Sequence, residues 1–325
     1  MNQAPWPWAS PTQDSAVREG KADAGFRMMS PTLLILGLGY SGAAVARAAV
    51  RAGFTVIGTR RDPGSDLGRG PGGAAGQSGI TVIPFDSAAP ALREATHLLA
   101  TAGPGPDGDP VLASYGAAIA AAPCLGWLGY LSTTGIYGDR QGGWVDEDTP
   151  PDPTSERARA RIAAEEGWRA VARGRSLDIF RLAGIYGPGR SALDDVRAGR
   201  ARRIIKPGHA FGRIHRDDIA AAVLAAMRQA ERPPVRVLNL ADDEPAESAE
   251  VVAEAARLLG APVPPAIPFA EAEPSMSPMA RGFWAENRKV ASARTQAMLG
   301  LRWRYPTYRE GLRGILAEQL GDRPA

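Results

Sequence analysis

A short glycine-rich segment near the start of the chain has the residue types and spacing of a phosphate-binding turn. Residues 37–42 read G-L-G-Y-S-G, which fits the pattern G-x-G-x-x-G. The first glycine permits a tight turn, the second lets the backbone approach a diphosphate, and the third lets a helix pack closely against a strand. We predict that a dinucleotide's pyrophosphate is bound by the following residues: Gly37, Leu38, Gly39, Tyr40, Ser41 and Gly42.

Basic side chains follow about 20 residues after the first glycine, where an NAD site usually has a carboxylate that binds the ribose 2′-hydroxyl. Thr59 stands there, and Arg60 and Arg61 come next. Their guanidinium groups can form charge-assisted hydrogen bonds to a 2′-phosphate. The sequence therefore favours NADP over NAD. In the alternative interpretation these arginines are solvated surface charges and Asp62 binds the ribose.

Apolar runs alternate with helical segments along most of the chain. The alternation predicts strands at 32–36, 54–58, 80–85, 97–101, 127–132, 177–182 and 235–240, and helices at 43–52, 111–121, 155–173, 216–228, 248–259 and from about 308. This order predicts an α/β fold, a Rossmann-type doubly wound parallel sheet with a smaller C-terminal substrate region. In such a sheet ligands bind beyond the carboxyl ends of the strands, which here means after Leu36, Thr101, Ser132 and Leu182.

Three parts of the chain are expected from this reading. Residues 1–30 form a disordered N-terminal tail, residues 31–187 an NAD(P)-binding Rossmann domain, and residues 188–325 a C-terminal substrate region partly interleaved with the Rossmann sheet. Residues 62–79 are rich in glycine and predict a loop. Residues 261–280 are rich in proline, alanine, glutamate and methionine, and they also predict a loop with few fixed elements.

Composition excludes several classes of partner. The net charge is +3, and the chain has no run of basic residues interleaved with aromatic ones, so we expect no nucleic-acid partner. The single cysteine, Cys124, cannot form an intramolecular disulfide or a zinc cluster, which fits a reducing cytoplasm; we expect it to be a small buried residue and expect no metal site. Residues 111–138 carry no charge, but their glycines, proline and hydroxyls favour a buried helix and strand over a membrane span.

From Thr32 onward the order of motifs resembles the extended short-chain dehydrogenase/reductases, the NAD-dependent epimerase/dehydratase family. Residues 131–138 read L-S-T-T-G-I-Y-G, residues 181–189 read R-L-A-G-I-Y-G-P-G, and residues 214–220 read I-H-R-D-D-I-A. The resemblance covers about residues 32–318. It implies that Thr133 is the active-site hydroxyl that bonds a substrate carbonyl, although Thr133 also fits a strand-end hydroxyl bonded to the backbone. It further implies that these residues border the cofactor: Ser132, Ala183, Gly184 and Ile185.

One departure from the family concerns its catalytic Tyr-x-x-x-Lys pair. The tyrosine position falls on Arg157 and the lysine position on Arg161, and no tyrosine occurs between Tyr137 and Tyr186. Arginine stays protonated, so it cannot replace the acid/base group. Arg157 and Arg161 either anchor an anionic substrate or the cofactor phosphates, or belong to a solvated helix face with glutamates such as Glu165 three to four residues away.

Two functions fit these observations. The first is an NAD(P)-dependent oxidoreductase or epimerase that acts on a polar, sugar-like or anionic small molecule with a non-standard proton donor. The second is an NADP-binding sensor or interaction module with weak or no turnover. His215 is the most titratable group near the expected cleft, and a structural histidine is favoured over a catalytic base. Family members often pair through two long helices, so the chain is expected to be a monomer or a homodimer.

Overall fold

A parallel β-sheet with helices on both faces organises the protein. The computed structural model describes residues 31–62 and 79–321. The predicted tail at 1–30 and nearly all of the predicted loop at 62–79 lie outside the described residues. The sequence prediction of an α/β, Rossmann-type fold is confirmed.

Each of the seven predicted strands is present and begins and ends within about two residues of its predicted position. In chain order the strands are β1 (Thr32–Leu36), β2 (Thr55–Arg60), β3 (Ile80–Pro84), β4 (His97–Ala100), β5 (Trp127–Thr133), β6 (Trp144–Val145), β7 (Ser176–Leu182), β8 (Gly184–Tyr186), β9 (Arg203–Ile205), β10 (Ala210–Phe211), β11 (Arg213–His215), β12 (Val235–Leu240), β13 (Ala246–Glu247), β14 (Ala266–Pro268) and β15 (Lys289–Val290). The short strands β6, β8–β11 and β13–β15 were not predicted.

The helices likewise include the predicted long ones and several short ones. In chain order they are α1 (Tyr40–Arg51), α2 (Ala89–Glu94), α3 (Pro110–Ala121), α4 (Glu156–Ala172), α5 (Ala192–Arg197), α6 (Arg216–Arg228), α7 (Ser248–Leu258), α8 (Phe269–Ala272), α9 (Pro278–Ala285), α10 (Ala293–Leu299) and α11 (Tyr308–Leu320). The short turns of 3₁₀ helix lie at Phe85–Ser87, Thr134–Tyr137 and Glu273–Ser275.

The main sheet has seven strands in the order β12-β7-β5-β4-β1-β2-β3. Neighbouring strands run parallel throughout. The strand order reverses between β1 and β4, and ligands of doubly wound sheets bind at such a switch point. The last strand of this sheet, β12, comes from the C-terminal region of the chain.

Both faces of the sheet are buried, and β1 shows how the sequence achieves this. Side chains of a strand alternate between the faces. Leu33 and Ile35 join the apolar cluster under α1 and α6, whereas Leu34 and Leu36 join the cluster under α3 and α4. All four side chains are fully buried. A run of consecutive large apolar residues is therefore required here, as is usual for a parallel sheet covered on both sides.

The helix starts fix α3 and α4 against each other beside the sheet. Asp109 caps α3 by accepting the N–H groups of Val111 and Leu112. Its second oxygen accepts the indole N–H of Trp168 on α4, at 3.1 Å. The predicted cap of α4 is confirmed, because the Ser155 hydroxyl accepts the N–H of Ala158.

Two predictions about the chain outside the main sheet were wrong. The segment 261–280 contains β14, α8, a 3₁₀ turn and the start of α9, which are too short to give a periodic signal. Cys124 is exposed, because it lies in the turn between α3 and β5 and not in either apolar element. Within 31–62 and 79–321 no helix combines the length and apolar character required to cross a bilayer.

Candidate functional site

The glycine turn after β1 is held between the ends of β2 and β4. Gly37 has φ +104°, and a Cβ built on it would lie 2.9 Å from Thr101 Oγ1 and 3.0 Å from the N atom of Ala102. Its N–H donates to Thr59 Oγ1 at 3.1 Å, and the Thr101 hydroxyl donates to its carbonyl. A side chain at this position would therefore be strained and would clash, which explains the first glycine of the motif.

The N-terminus of α1 is open toward the cleft. Gly39 is the N-cap residue, its first turn contains no carboxylate, and within the described part of the chain no side chain caps the helix. A Cβ built on Gly39 would have nothing within 4 Å, whereas one on Gly42 would lie 2.9 Å from the Gly37 carbonyl oxygen. The first helical turn thus presents backbone N–H groups and the positive end of the helix dipole to whatever occupies this space.

Other residues of the predicted cofactor site hold the turn in place. Leu38 is buried, its N–H donates to the Thr59 carbonyl at 2.7 Å, and its side chain packs over Gly58. Thr59 is fully buried. Since its hydroxyl accepts the Gly37 N–H, Thr59 supports the turn from below. Arg60 is half-buried and Arg61 is exposed at the end of β2.

Tyr40 links the glycine turn to the segment that follows β8. Its hydroxyl donates to the Pro188 carbonyl at 3.1 Å. The guanidinium groups of Arg190 and Arg216 lie 5.8 Å and 5.3 Å from its ring centroid, within cation–π range. Burial raises the pKa of Tyr40 to about 12, so the hydroxyl stays protonated. Tyr40 was predicted as part of the glycine motif, but its contact with Pro188 was not predicted.

Three consecutive hydroxyls at the end of β5 have different partners. Ser132 is buried and donates to Glu165 Oε1 at 2.6 Å. Thr134 is also buried and donates to the Leu182 carbonyl at 3.3 Å. Thr133 is half-buried and accepts the Gly135 N–H at 3.1 Å. A hydroxyl that accepts one N–H can still donate its own hydrogen, so Thr133 can bond a ligand oxygen.

A buried ion pair beneath these hydroxyls was missed. Glu165 was expected on a solvated face of α4, but it is 3% exposed and accepts two bonds from Arg181, at 2.8 Å and 3.2 Å. Arg181 also donates to the Tyr137 hydroxyl at 2.9 Å, and Tyr137 donates to Asn239 at 2.8 Å. Burial lowers the pKa of Arg181, but its bonds to Glu165 outweigh that effect and the pKa is raised.

The two arginines that the motif resemblance aligns with a Tyr-x-x-x-Lys pair have different surroundings. Arg161 donates through Nη1 to the Tyr130 hydroxyl at 3.0 Å and to the Leu131 carbonyl at 2.8 Å. A Cβ built on Gly103, in the loop after β4, would lie 2.5 Å from Arg161 Nη2. Arg161 therefore borders the cleft between β4 and β5. Arg157 is exposed, as a solvated helix face requires.

Arg288 reaches the same region from far along the chain. It lies between α9 and β15, and its Nη1 donates to the Gly138 carbonyl at 2.7 Å and to Glu286 Oε2 at 2.6 Å. The Thr154 hydroxyl donates to the other oxygen of Glu286. Arg288 was missed, because the residues around it match no motif and its partner Gly138 is 150 residues away in the sequence.

The segment after β7 closes the other side of the cleft. The N–H of Ala183 donates to the Leu240 carbonyl at 2.9 Å, and the N–H of Gly184 donates to the Gly212 carbonyl at 3.0 Å. Gly184 is exposed and Ile185 is half-buried. A search for potential metal ligands in the described parts of the chain found no group of three or more histidine, cysteine, aspartate or glutamate residues suited to an ion.

A solved structure resembles this arrangement over nearly its full length. A functionally unknown conserved protein from Silicibacter pomeroyi is 44% identical, with a TM-score of 0.80 over 89% of this chain and 99% of that chain. The chain belongs to the same family as that protein. The human epimerase family protein SDR39U1, solved with NADPH, has a TM-score of 0.67 at 21% identity, over 88% of this chain and 98% of that one. MoeE5, solved with UDP-glucuronic acid and NAD, has a TM-score of 0.68 at 18% identity, over 90% of this chain and 100% of that one.

These two more distant structures share the fold of this chain. Among curated proteins, the 3-diazoavenalumate denitrifying reductase of a Streptomyces species is 30% identical over 186 residues, which are 52% of this chain and 58% of that protein. Protein YeeZ of Escherichia coli K12 is 36% identical over 97 residues, 29% of this chain and 32% of that protein. The chain thus spans less than two thirds of either curated relative. No protein-family model matches it.

Proposed function

We propose that the protein binds a nicotinamide dinucleotide and acts as an oxidoreductase or epimerase on a polar small molecule. The observation that carries this proposal is the open N-terminus of α1 at the switch point of the sheet. Among residues 31–62 and 79–321, no atom lies within 4 Å of a Cβ built on Gly39, and no side chain caps the first helical turn. A diphosphate fits both the charge and the size of such a site.

NADP is the proposed cofactor, with NAD as the less favoured one. Arg60 and Arg61 lie at the end of β2, where the adenosine ribose of a bound dinucleotide would lie. Guanidinium groups suit a 2′-phosphate better than a 2′-hydroxyl. The solved relatives include one with NADPH and one with NAD, so this preference rests on the two arginines.

The bound nicotinamide would supply or accept the hydride, and residues of the chain would place the substrate. We assign the backbone of 183–185 to the nicotinamide side of the cleft. Thr133 would donate its hydroxyl hydrogen to an oxygen of the substrate, while Ser132, tied to Glu165, fixes the end of β5. Arg161, beside Gly103, would face the cofactor. Arg157 is exposed and would contact a negatively charged substrate. A reductase among the relatives supports hydride transfer.

A second candidate is a protein that binds NADP without turnover. The hydrogen bonds of Arg161 favour this candidate. Its guanidinium, at the position of the family's catalytic lysine, donates to the Tyr130 hydroxyl and to the Leu131 carbonyl. No tyrosine occupies the family's acid/base position either. Such a protein would respond to the NADPH level through binding alone.

The two candidates are separated by measuring binding and hydride transfer on the same preparation. Fluorescence titration should show NADPH binding more tightly than NADH. NADPH deuterated at either face of C4 is then incubated with ketones, aldehydes and nucleotide sugars, and the products are analysed for deuterium. Transfer to a substrate that Thr133→Val abolishes, with NADPH affinity unchanged, supports the enzyme. Tight binding without any transfer supports the sensor, and absence of binding to either dinucleotide overturns both.

A further inference from the structure

Gly135, just after the end of β5, lies between a hydroxyl and a guanidinium. A Cβ built on Gly135 would lie 3.4 Å from Thr133 Oγ1 and 3.7 Å from Arg288 Nη2. These are ordinary contact distances, so an added group of methyl size would fit here and touch both side chains. A ligand placed there would touch Thr133, the hydroxyl at the family's active-site position, and Arg288 together.

Arg288 is held rigidly with one edge toward this space. Its Nη1 is fixed by the Gly138 carbonyl at 2.7 Å and by Glu286 at 2.6 Å. The side chains of Arg288 and Glu286 are 16% and 13% exposed, so solvent screens their surroundings only partly. Because Thr154 and Arg288 bond the two oxygens of Glu286, that carboxylate is anchored on the Nη1 side. The other guanidinium nitrogen, Nη2, lies on the side of Gly135 and Thr133.

The chemistry of this pair selects an oxygen anion. Arginine presents parallel N–H groups that match a carboxylate, and such charge-assisted bonds are stronger than neutral ones. The Thr133 hydroxyl can donate to the second oxygen of the same group. A carboxylate, with two acceptor oxygens, can therefore bridge a donor on each side of the gap, which a single carbonyl oxygen does less well. Arg161 adds a further positive charge at the β4 side of the cleft.

We propose that Arg288 and Thr133 bind a carboxylate of the substrate, so that the protein acts on small carboxylic acids. The assignment rests on the proposed function of the cleft, and it narrows the substrate from polar molecules in general to carboxylates. Arg288 is then the residue that sets specificity. Gly135 is small because the carboxylate needs its space.

The test uses small carboxylates and their neutral esters as probes on the protein loaded with NADP⁺. Pyruvate and benzoate, each beside its methyl ester, are titrated by calorimetry. At least one acid should bind more tightly than its ester. Arg288→Gln should weaken that binding at least tenfold without affecting the ester, and Arg288→Lys should recover part of the loss. Arg294→Gln is the matched control, since Arg294 pairs with Asp148 on the exposed surface and its loss should change affinity less than twofold.

A second variant keeps the test valid if the Arg288 variants are unstable. Gly135→Ala adds a methyl group at ordinary contact distance, so it should fold normally and yet abolish the binding of the acid. NADPH affinity, measured first, should be the same in all variants. Loss of NADPH binding by the unchanged protein refutes the proposed function. Normal NADPH binding with no preference for either acid, or with a preference that survives Arg288→Gln, overturns the carboxylate assignment.

Discussion

Replacing Gly39 by aspartate should separate the stability of the glycine turn from its phosphate binding. Gly39 caps α1 with φ −92° and ψ −157°, a conformation open to any residue. A Cβ there meets nothing within 4 Å. The new carboxylate can accept an N–H of the first helical turn, which no side chain caps now. The variant should therefore fold and be at least as stable as the parent protein.

The substitution should increase the stability of the fold and decrease the affinity for the dinucleotide. Aspartate exceeds glycine as an N-cap by a few tenths of a kcal/mol, and its charge at the positive end of the helix adds about 0.3–1 kcal/mol. A bound diphosphate, in contrast, would lie beside the carboxylate. Two like charges about 4 Å apart repel by about 4 kcal/mol at an effective dielectric constant near 20. This repulsion corresponds to roughly a thousandfold loss of affinity.

Urea unfolding of the free protein and fluorescence titration with NADPH measure the two effects independently. Gly39→Asn supplies the same cap without the charge, so it should lose much less affinity than Gly39→Asp. Gly37→Ala is the opposite control. At φ +104° and 2.9 Å from Thr101 Oγ1, the added methyl should destabilise the fold by about 1–3 kcal/mol. An unchanged NADPH affinity in a folded Gly39→Asp protein would refute phosphate binding at α1.

Three further predictions concern the ion pair, the pH dependence and the cofactor preference. Glu165→Gln leaves a buried guanidinium without its counter-charge, so the free energy of unfolding in urea should fall by about 3–5 kcal/mol; a loss under about 1 kcal/mol would contradict this. Burial lowers the pKa of His215 to about 4 from its ordinary 6.5, so between these values the unfolded chain binds the extra proton, and stability rises with pH. Between pH 4 and 6.5, the free energy of unfolding of the parent protein should rise by up to about 3 kcal/mol relative to that of His215→Asn. Comparing the two proteins cancels the opposite pH dependence that comes from the raised pKa of Asp218. A difference in stability that does not change with pH would contradict this origin. Alanine at both Arg60 and Arg61 should weaken NADPH binding at least tenfold and leave NADH binding nearly unchanged, whereas equal losses for both would point away from a 2′-phosphate site.

The main sheet could be predicted because its local signals agree. Apolar runs of five or six residues, most of them followed by a helical segment, allow few alternatives to a parallel sheet covered on both faces. The glycine turn was predictable for the same reason, since the motif stands between a strand and a helix. The switch point then follows from the strand order, and it places the ends of β1, β4, β5 and β7 at one cleft.

The ion pair below the cleft could not be predicted, because sequence spacing does not say which face of a polar helix is buried. α4 carries charges all around, and helical pairing of Glu165 with Arg161 was as plausible as any other partner. Its actual partner, Arg181, lies on a strand inside the sheet. A charged residue within an apolar strand was the available signal. Such a residue requires a buried counter-charge, but its position in the sequence does not say which carboxylate supplies it.

Arg288 and the segment before it illustrate a second limit. Elements of two to four residues, such as β14 and α8, give no period, and proline and alanine there resemble a loop. The chain returns to the cleft through α9 and β15, and β15 pairs with β6, which follows the hydroxyls at the end of β5. Contacts of this kind join residues about 150 positions apart, and a single sequence contains nothing that couples them.

If the cleft binds a substrate as proposed, the side chains around it suit charge stabilisation better than proton transfer. Thr133, Arg161 and Arg288 are donors, and a guanidinium stays protonated across the range in which proteins are folded. The nearby tyrosines are committed elsewhere: burial raises the pKa of Tyr130 to about 12 and raises the pKa of Tyr137 as well. Donors fixed before the substrate arrives stabilise negative charge that develops on an oxygen, because they need no reorganisation during the reaction. If Arg288 binds the carboxylate of a substrate as proposed, hydride transfer to the substrate's carbonyl would leave an alkoxide, which Arg161 beside Gly103 would stabilise and which would take its proton from water.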